Sequence, residues 1–312
     1  MKIEQLKEYV LNNPDLVTMK ESVTYPGLFV LKYKRKVFYS GNWNRYLEKC
    51  RGLVVDKDFN IIIHPFDKIY NYGIEKNAPV LNDDEVVLAV KKYNGFMAAA
   101  SKYKGEIIVS TTGSLDSDYA KLASEMITPW FNKGLLDDET YMFEICHHSD
   151  PHIIPEKEGI YFLGQRPNYI NSHINHARTL HNIMSSDQKG VFSKLYKEFD
   201  ADSNTFQKAF YPLPTLTTLG ELKERVKKVK TEGYVFYTVD GKSSKIKSPY
   251  YLFLKFLARC SKTEKLLHKD AKKNLPEEFY PVIDHVQANI KEFTLLSEQD
   301  RLYLIRNIFE KL

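Results

Sequence analysis

EVVLAVKKYNGFMAAASKYKGEIIVSTTGS, residues 85–114, holds three apolar segments broken at Asn94-Gly95 and Lys104-Gly105. Alternating β-branched and small apolar residues between glycine turns read as an antiparallel meander. Where the first segment ends, Lys92 meets the tight turn Tyr93-Asn94-Gly95. Glycine there lets the backbone pass close to a ligand while the amine projects into a pocket. Lys91 is the rival, but strand alternation aims it at the opposite face. A nucleophilic lysine must give up a proton that its ordinary pKa of about 10.4 would keep. Neighbouring cations or a bound metal favour that loss.

Working outward, the alternation recurs. LFVLKYKRKVFYS (28–40) is expected to form a hairpin across the basic turn Lys34–Lys36, and RGLVVDKDFNIIIHP (51–65) another across Asp56–Asn60. TYMFEICHH (140–148) and GIYFLGQR (159–166) read as strands, and GYVFYTVDGKSSKIK (233–247) as a hairpin turning at Asp240-Gly241. Helical spacing marks the N-terminal MKIEQLKEYVLNNPDL and residues 117–132, where Tyr119, Leu122, Ala123, Met126 and Ile127 share a face. A polar, helix-containing region is expected within Pro167–Lys230. Beyond Pro249 the pattern turns apolar-periodic with almost no glycine, in YYLFLKFLARC, EEFYPVIDHVQANIKEF and SEQDRLYLIRNIFEKL. The expected class is therefore α+β, an antiparallel-sheet core over residues 1–248 with a small all-α C-terminal domain over 249–312. There Tyr250, Phe253, Phe256, Phe279 and Tyr303 are expected in the helical core rather than as base-stacking platforms.

Composition narrows the setting. The chain has 312 residues, 43% of them hydrophobic, which suffices for a sizeable core. No apolar run approaches the roughly 20 residues needed to cross a bilayer, and the first helix lacks the apolar block of a signal peptide. Three scattered cysteines (Cys50, Cys146, Cys260) form no disulfide framework, so a reducing, cytoplasmic setting is expected. A net charge of +5 with 21 tyrosines and 18 phenylalanines is compatible with a polyanionic partner.

In chain order the sequence offers Arg51-Gly52, Pro65-Phe66-Asp67-Lys68-Ile69-Tyr70-Asn71, Lys92-Tyr93-Asn94-Gly95, Thr112-Gly113-Ser114, Phe143-Glu144-Ile145, Glu232-Gly233-Tyr234-Val235 and Lys245-Ile246-Lys247-Ser248. This set, over roughly residues 28–255, resembles the covalent nucleotidyltransferase superfamily of polynucleotide ligases and mRNA capping enzymes. Within it the chain looks like the phage-type RNA ligase 1 family, through Arg51-Gly52, Pro65–Asn71 and the Lys245–Ser248 tail followed by Tyr250-Tyr251. One departure stands out: where the family has a lysine between threonine and glycine, this chain has Thr112, which puts a phosphate contact there in doubt.

The resemblance implies an ATP-grasp-like nucleotidyltransferase core and ATP-dependent RNA ligation. Lys92 would attack the α-phosphorus of ATP and carry AMP; Lys245 and Lys247, alternate residues on one strand, would neutralise the α-phosphate. Arg51 and Lys68 are implied to contact the nucleotide phosphates, Tyr70 and Tyr251 to wall the adenine, Asn94 and Gly95 to shape the nucleotide pocket. Glu144 is implied to hold a ribose hydroxyl, and Glu232 to help place Mg²⁺ (or Mn²⁺). The implied substrate is RNA with 5′-phosphate and 3′-hydroxyl ends, nicked tRNA among them, in RNA repair and in a host's cytoplasm if the source is viral. Nothing asks for a membrane or an obligate protein partner.

Other readings have weaker support. A DNA ligase or a GTP-using capping enzyme usually places an OB-type β-barrel after the Lys-x-Lys strand, where this chain reads as helical. A catalytically silent RNA-binding relative would have lost a lysine or glutamate of the set, and none is lost. Cys146-His147-His148-Ser149-Asp150-Pro151-His152 looks like a zinc site, but no second Cys/His pair lies at ligand spacing, and strand alternation would separate His147 from His148. Glu221–Lys230 reads as a solvated helix face.

Overall fold

The computed structural model describes residues 1–131, 137–174, 209–210, 214–260, 267–273, 275 and 277–310. Most of the polar region expected within Pro167–Lys230, at 175–208 and 211–213, lies outside the described residues, as do Asn132 and residues 311–312 of the last apolar-periodic segment.

The strands, in chain order, are β1 Val17–Glu21, β2 Leu28–Tyr33, β3 Arg51–Asp56, β4 Ile61–Ile63, β5 Tyr70–Asn71, β6 Val86–Lys91 and β7 Phe96–Tyr103. They continue with β8 Glu106–Thr111, β9 Glu139–Cys146, β10 Gly159–Pro167, β11 Ala209–Phe210, β12 Thr215–Thr218, β13 Gly233–Tyr237 and β14 Ser243–Lys247. Among the described residues they form three sheets: β1-β2-β3-β4, β11-β10-β9-β7-β8 and β12-β6-β13-β14-β5. Pairing is antiparallel except for β10 with β11 and β14 with β5. A small helical region follows β14, and the antiparallel sheets with this appendage make the fold α+β.

The hairpins β3–β4, β7–β8 and β13–β14 form as expected. The meander does not. β6 pairs with β12 and β13, whereas β7 pairs with β8 and β9, so Lys92–Gly95 crosses from one sheet to another. The cause lies in tertiary contacts: the Asn94 side chain bonds Glu232 and the Ile154 backbone, partners on other elements, instead of closing a hairpin.

A second expectation fails at Lys34–Lys36. After β2 the chain enters a helix, Arg35–Ser40, ended by Gly41 in the left-handed region at φ 65. Of Val37, Phe38 and Tyr39 only Val37 is buried, so the run has no apolar alternation to support a strand. β2 pairs instead with β1 on one side and β3 on the other.

The helix Asp118–Phe131 covers the second sheet through Ala123 and Ile127, while Tyr119 stays half exposed and donates to Asp150. The helix Leu219–Lys228 lays Leu219, Leu222 and Val226 on β6 and β13 and turns its charged face outward. The helices Pro249–Ala258, Tyr280–Ala288, Ile290–Leu295 and Glu298–Glu310 enclose a separate cluster with Phe253, Leu254, Val282, Phe293 and Leu302. Phe253 and Phe279 stack at 4.4 Å as core residues. Phe256 and Tyr303 are exposed, against expectation, because their turns of helix face away from that cluster. No described helix is long and apolar enough to cross a membrane. All three cysteines are buried.

Candidate active site

Lys92 leaves the end of β6 with its backbone amide bonded to Gly233 O at 2.9 Å, which seats it beside Glu232. Its Nζ lies 3.0 Å from Glu232 Oε2, and Lys247 Nζ lies 3.0 Å from the other carboxylate oxygen. Asn94 Nδ2 donates to Glu232 Oε2 at 2.7 Å, while Asn94 Oδ1 accepts from Ile154 N at 2.8 Å. One buried carboxylate thus gathers the lysine of β6, the lysine of β14 and the crossing loop. Burial pushes the Glu232 carboxyl up, but Lys92 and Lys247 outweigh it and hold it below its ordinary value. Lys91 points elsewhere, to Glu156 at 2.8 Å, as strand alternation requires.

The crossing loop is tight. A Cβ on Gly95 would stand 2.2 Å from Ile145 O, so only glycine lets the loop lie against β9. From there the Gly95 amide donates to Glu144 Oε1 at 3.0 Å. Burial raises the Glu144 carboxyl above its ordinary value; Lys92 and the Gly95 bond only partly oppose this. At the start of β13 a Cβ on Gly233 would meet Ile246 O at 2.0 Å, which explains a glycine after Glu232.

A cavity of about 100 Å³ opens beside this network. Arg51, Lys91, Lys92, Glu144 and Lys245 supply its polar lining, and Phe66, Tyr93, Met97, Leu163 and Tyr237 are prominent on its apolar side. Lys245 is lowered to about 7, first by burial and then by Lys68, Arg51, Lys247 and Lys92. Such mutual repulsion among cations is relieved by an anion, and the cavity is built to receive one.

Lys68 does not line this cavity. It is buried, bonded to Glu75 at 2.8 Å and set over the rings of Trp43 and Tyr70. Tyr70 donates to Glu48, and Tyr251 lies under Lys247 at 4.6 Å, so neither expected adenine wall is among the lining side chains. The rings that do line it are Phe66, Tyr93 and Tyr237. Tyr93 stacks on Tyr161 at 4.0 Å, which fixes its plane. Phe66 is held by its neighbours: Arg166 donates to Pro65 O and to Asp67, and Lys49 pairs with Asp67. Tyr93 sits within the Lys92–Gly95 motif and was findable there; Met97 and Leu163 look like ordinary strand residues in sequence. Thr112 packs on Gly52, where it leaves no room for a Cβ, and Lys32 Nζ lies against Gly113.

The histidine segment differs from expectation. β9 ends at Cys146, so alternation no longer applies, and the His147 and His148 rings lie 4.0 Å apart. With Glu158 they bring three ligand-type atoms within 4.8 Å of one another on the surface. His152 pairs with Asp150 at 2.6 Å instead.

Glu232 and Glu144 fit a hard divalent ion by donor type. Both are buried carboxylates near one another, and burial that Lys92 and the Gly95 amide offset only in part leaves Glu144 with a charge that a cation would relieve.

The architecture and this lysine–carboxylate centre define a nucleotidyltransferase-type ligase fold. An archaeal ATP-dependent RNA ligase superposes at TM-score 0.50 with 12% identity, covering 100% of this chain and 79% of its own. A protein of Aquifex aeolicus, provisionally assigned as an ATP-dependent DNA ligase, superposes at TM-score 0.50 with 14% identity, covering 99% and 80%. None of the curated proteins matches this chain. The family model described as RNA ligase matches residues 49–256, which takes in the site from Arg51 to Tyr251. The chain belongs to that RNA ligase family and is an RNA-joining enzyme.

Proposed function

We propose that the protein is an ATP-dependent RNA ligase that works through AMP bound covalently to Lys92. The observation that carries this reading is the single buried carboxylate, Glu232, bonded at 3.0 Å to both Lys92 and Lys247 beside a cation-lined cavity. Archaeal proteins of the same fold are named ATP-dependent RNA ligases, which agrees with the nucleotide choice.

Lys92 Nζ attacks the α-phosphorus of ATP: a P–N bond forms, the bond to pyrophosphate breaks, and the amine gives up a proton. Lys245 and Lys247 meet the α-phosphate from one strand face, and Arg51 meets the leaving pyrophosphate. Lys68 joins them by exchanging Glu75 for phosphate. Glu144 accepts from a ribose hydroxyl, Asn94 and Gly95 hold the loop, and Phe66, Tyr93 and Tyr237 border the base, with Tyr70 and Tyr251 behind the phosphate-binding lysines. A Mg²⁺ or Mn²⁺ ion held by Glu232 and Glu144 would supply neutralisation of phosphate charge. AMP then passes to a 5′-phosphate of RNA, and a 3′-hydroxyl attacks that phosphate, releasing AMP. Residues 1–248 carry the adenylyl transfer, and the helical residues 249–312 select the RNA, with nicked tRNA as the first substrate to try.

The test is incubation with α-labelled ATP, then with labelled RNA. A labelled protein band, absent in Lys92→Ala and cleared by RNA bearing a 5′-phosphate, is expected. A band that persists in Lys92→Ala would remove the assignment.

A further inference from the structure

The run KYKRKVFYSGNWNRY, residues 32–46, carries Lys32, Lys34, Arg35, Lys36 and Arg45 and no acidic residue, a charge equal to the net +5 of the whole chain. The rest of the sequence therefore balances, and the attraction for a polyanion is concentrated in this run. All five cations are exposed. Two rings stand among them: Phe38 is 55% and Tyr39 78% exposed, and they meet edge to face at 5.6 Å. Large rings left together in solvent mark a surface that something covers.

The helix Arg35–Ser40 arranges these groups. At about 100° per residue, Val37 turns inward, whereas Arg35 and Tyr39, four apart, point away from the core with Phe38 and Lys36 on either side. The outward face thus interleaves two cations with two rings. Lys36 reaches Asp15 at 3.5 Å, but both side chains are more than half exposed, so a phosphate can take the place of that carboxylate.

This excursion lies beside the nucleotide site. Tyr33 and Trp43, before and after it, meet at 4.8 Å. Trp43 touches Tyr70 with centroids 6.1 Å apart and lies under Lys68 Nζ at 5.1 Å. Lys68 is in turn close enough to Lys245, in the cavity lining, to help lower it. A ring that stacks a base next to a cation that meets its phosphate is how single strands are held. An anionic membrane would match the charge but binds through a continuous apolar stripe, which two rings on a six-residue helix do not form.

We propose that the outward face of Arg35–Ser40 holds single-stranded RNA close to the end being joined, Phe38 and Tyr39 stacking bases and Lys34, Arg35 and Lys36 meeting phosphates. This rests on the RNA ligase reading for its ligand and adds to it the surface that grips the strand, whichever RNA the helices after Ser248 select.

The experiment uses the full chain and a fluorescent, 5′-phosphorylated single-stranded RNA, with binding read by anisotropy without ATP over a range of salt. Label transfer from ATP to Lys92 is read separately, without RNA. Lys34→Gln/Arg35→Gln/Lys36→Gln is expected to weaken binding at least about tenfold at low salt and to flatten the slope of log affinity against log salt by about 2, for three lost phosphate contacts. Phe38→Ala/Tyr39→Ala should weaken binding about tenfold with the slope unchanged. Both variants should label Lys92 at the parent rate, since the altered side chains are all exposed. Lys227→Gln/Lys228→Gln/Lys230→Gln, which removes the same charge from another exposed surface, should bind RNA within about twofold of the parent. Parent-like RNA binding by both variants, or equal weakening by that control, would overturn the inference. So would phosphatidylserine vesicles that bind the parent but not the variants while RNA binding persists in all. Failure of the unaltered protein to label would remove the ATP reading alone, because anisotropy is read without ATP.

Discussion

Lys245 is a residue whose charge the site controls strongly. Burial and four nearby cations lower it to about 7 from an ordinary 10.5. The unfolded chain therefore binds more protons than the folded one between about pH 7 and 10.5, and this group makes stability rise with pH across that window. Below pH 7 both states are protonated and the full penalty applies. Lys245→Met, which removes the charge but keeps the stem, should be more stable than the parent at pH 6.5, with the gap closing by pH 10. Denaturant midpoints at both pH values check this; a gap independent of pH would contradict it. At pH 8 nucleotide binding should draw a proton onto Lys245, visible as a calorimetric enthalpy that varies with the buffer's ionisation heat. Gly95 makes a different demand. A methyl 2.2 Å from Ile145 O cannot be accommodated by a side-chain shift, so Gly95→Ala should cost at least about 3 kcal/mol in urea unfolding.

The element that matters most is the crossing Lys92–Gly95, and it shows where sequence reading reaches and stops. Three hairpins were legible because their turns, Asp56–Asn60, Lys104-Gly105 and Asp240-Gly241, carry turn chemistry between alternating runs. Asn94-Gly95 carries the same chemistry yet joins two sheets, because the partners that decide it, Glu232 and Ile154, are distant in sequence. The matching of Lys92 with Glu232 and Lys247 was readable from motif order and the β13–β14 pairing. The bond between Lys91 and Glu156 was not, since no pattern marks a lone carboxylate in a loop. Asn94 serves as the latch of this element. Asn94→Ala leaves the buried Ile154 amide without its acceptor and Glu232 without a donor, a loss of about 1–3 kcal/mol in stability. Lys92 labelling by ATP should slow about ten- to a hundredfold as Glu232 and the loop lose their setting. A labelling rate within twofold of normal would show that Lys92 is positioned by β6 alone.

At the scale of the molecule, the helical residues after Ser248 divide from the sheets in pattern more cleanly than in packing. Their core cluster takes in Ile153 and Ile154 from the loop between β9 and β10, both buried. Arg306 donates to Ile153 O, and Tyr251 packs under Lys247 in the site itself. Ile154 is also the residue whose amide holds Asn94, and Tyr251 itself reaches Glu232 and Asn94, so the helices bear on the crossing loop at both places. The RNA selection proposed for these helices and the support of the Lys92 loop therefore fall to the same segment, although only the first was expected of it. A chain ending at Ser248 would expose the two isoleucines. It should lose Lys92 labelling together with RNA joining, and aggregate or melt well below the full chain. If the truncated chain instead labelled at the full rate, the helices would be an independent module and the coupling through Ile154 would have no energetic weight.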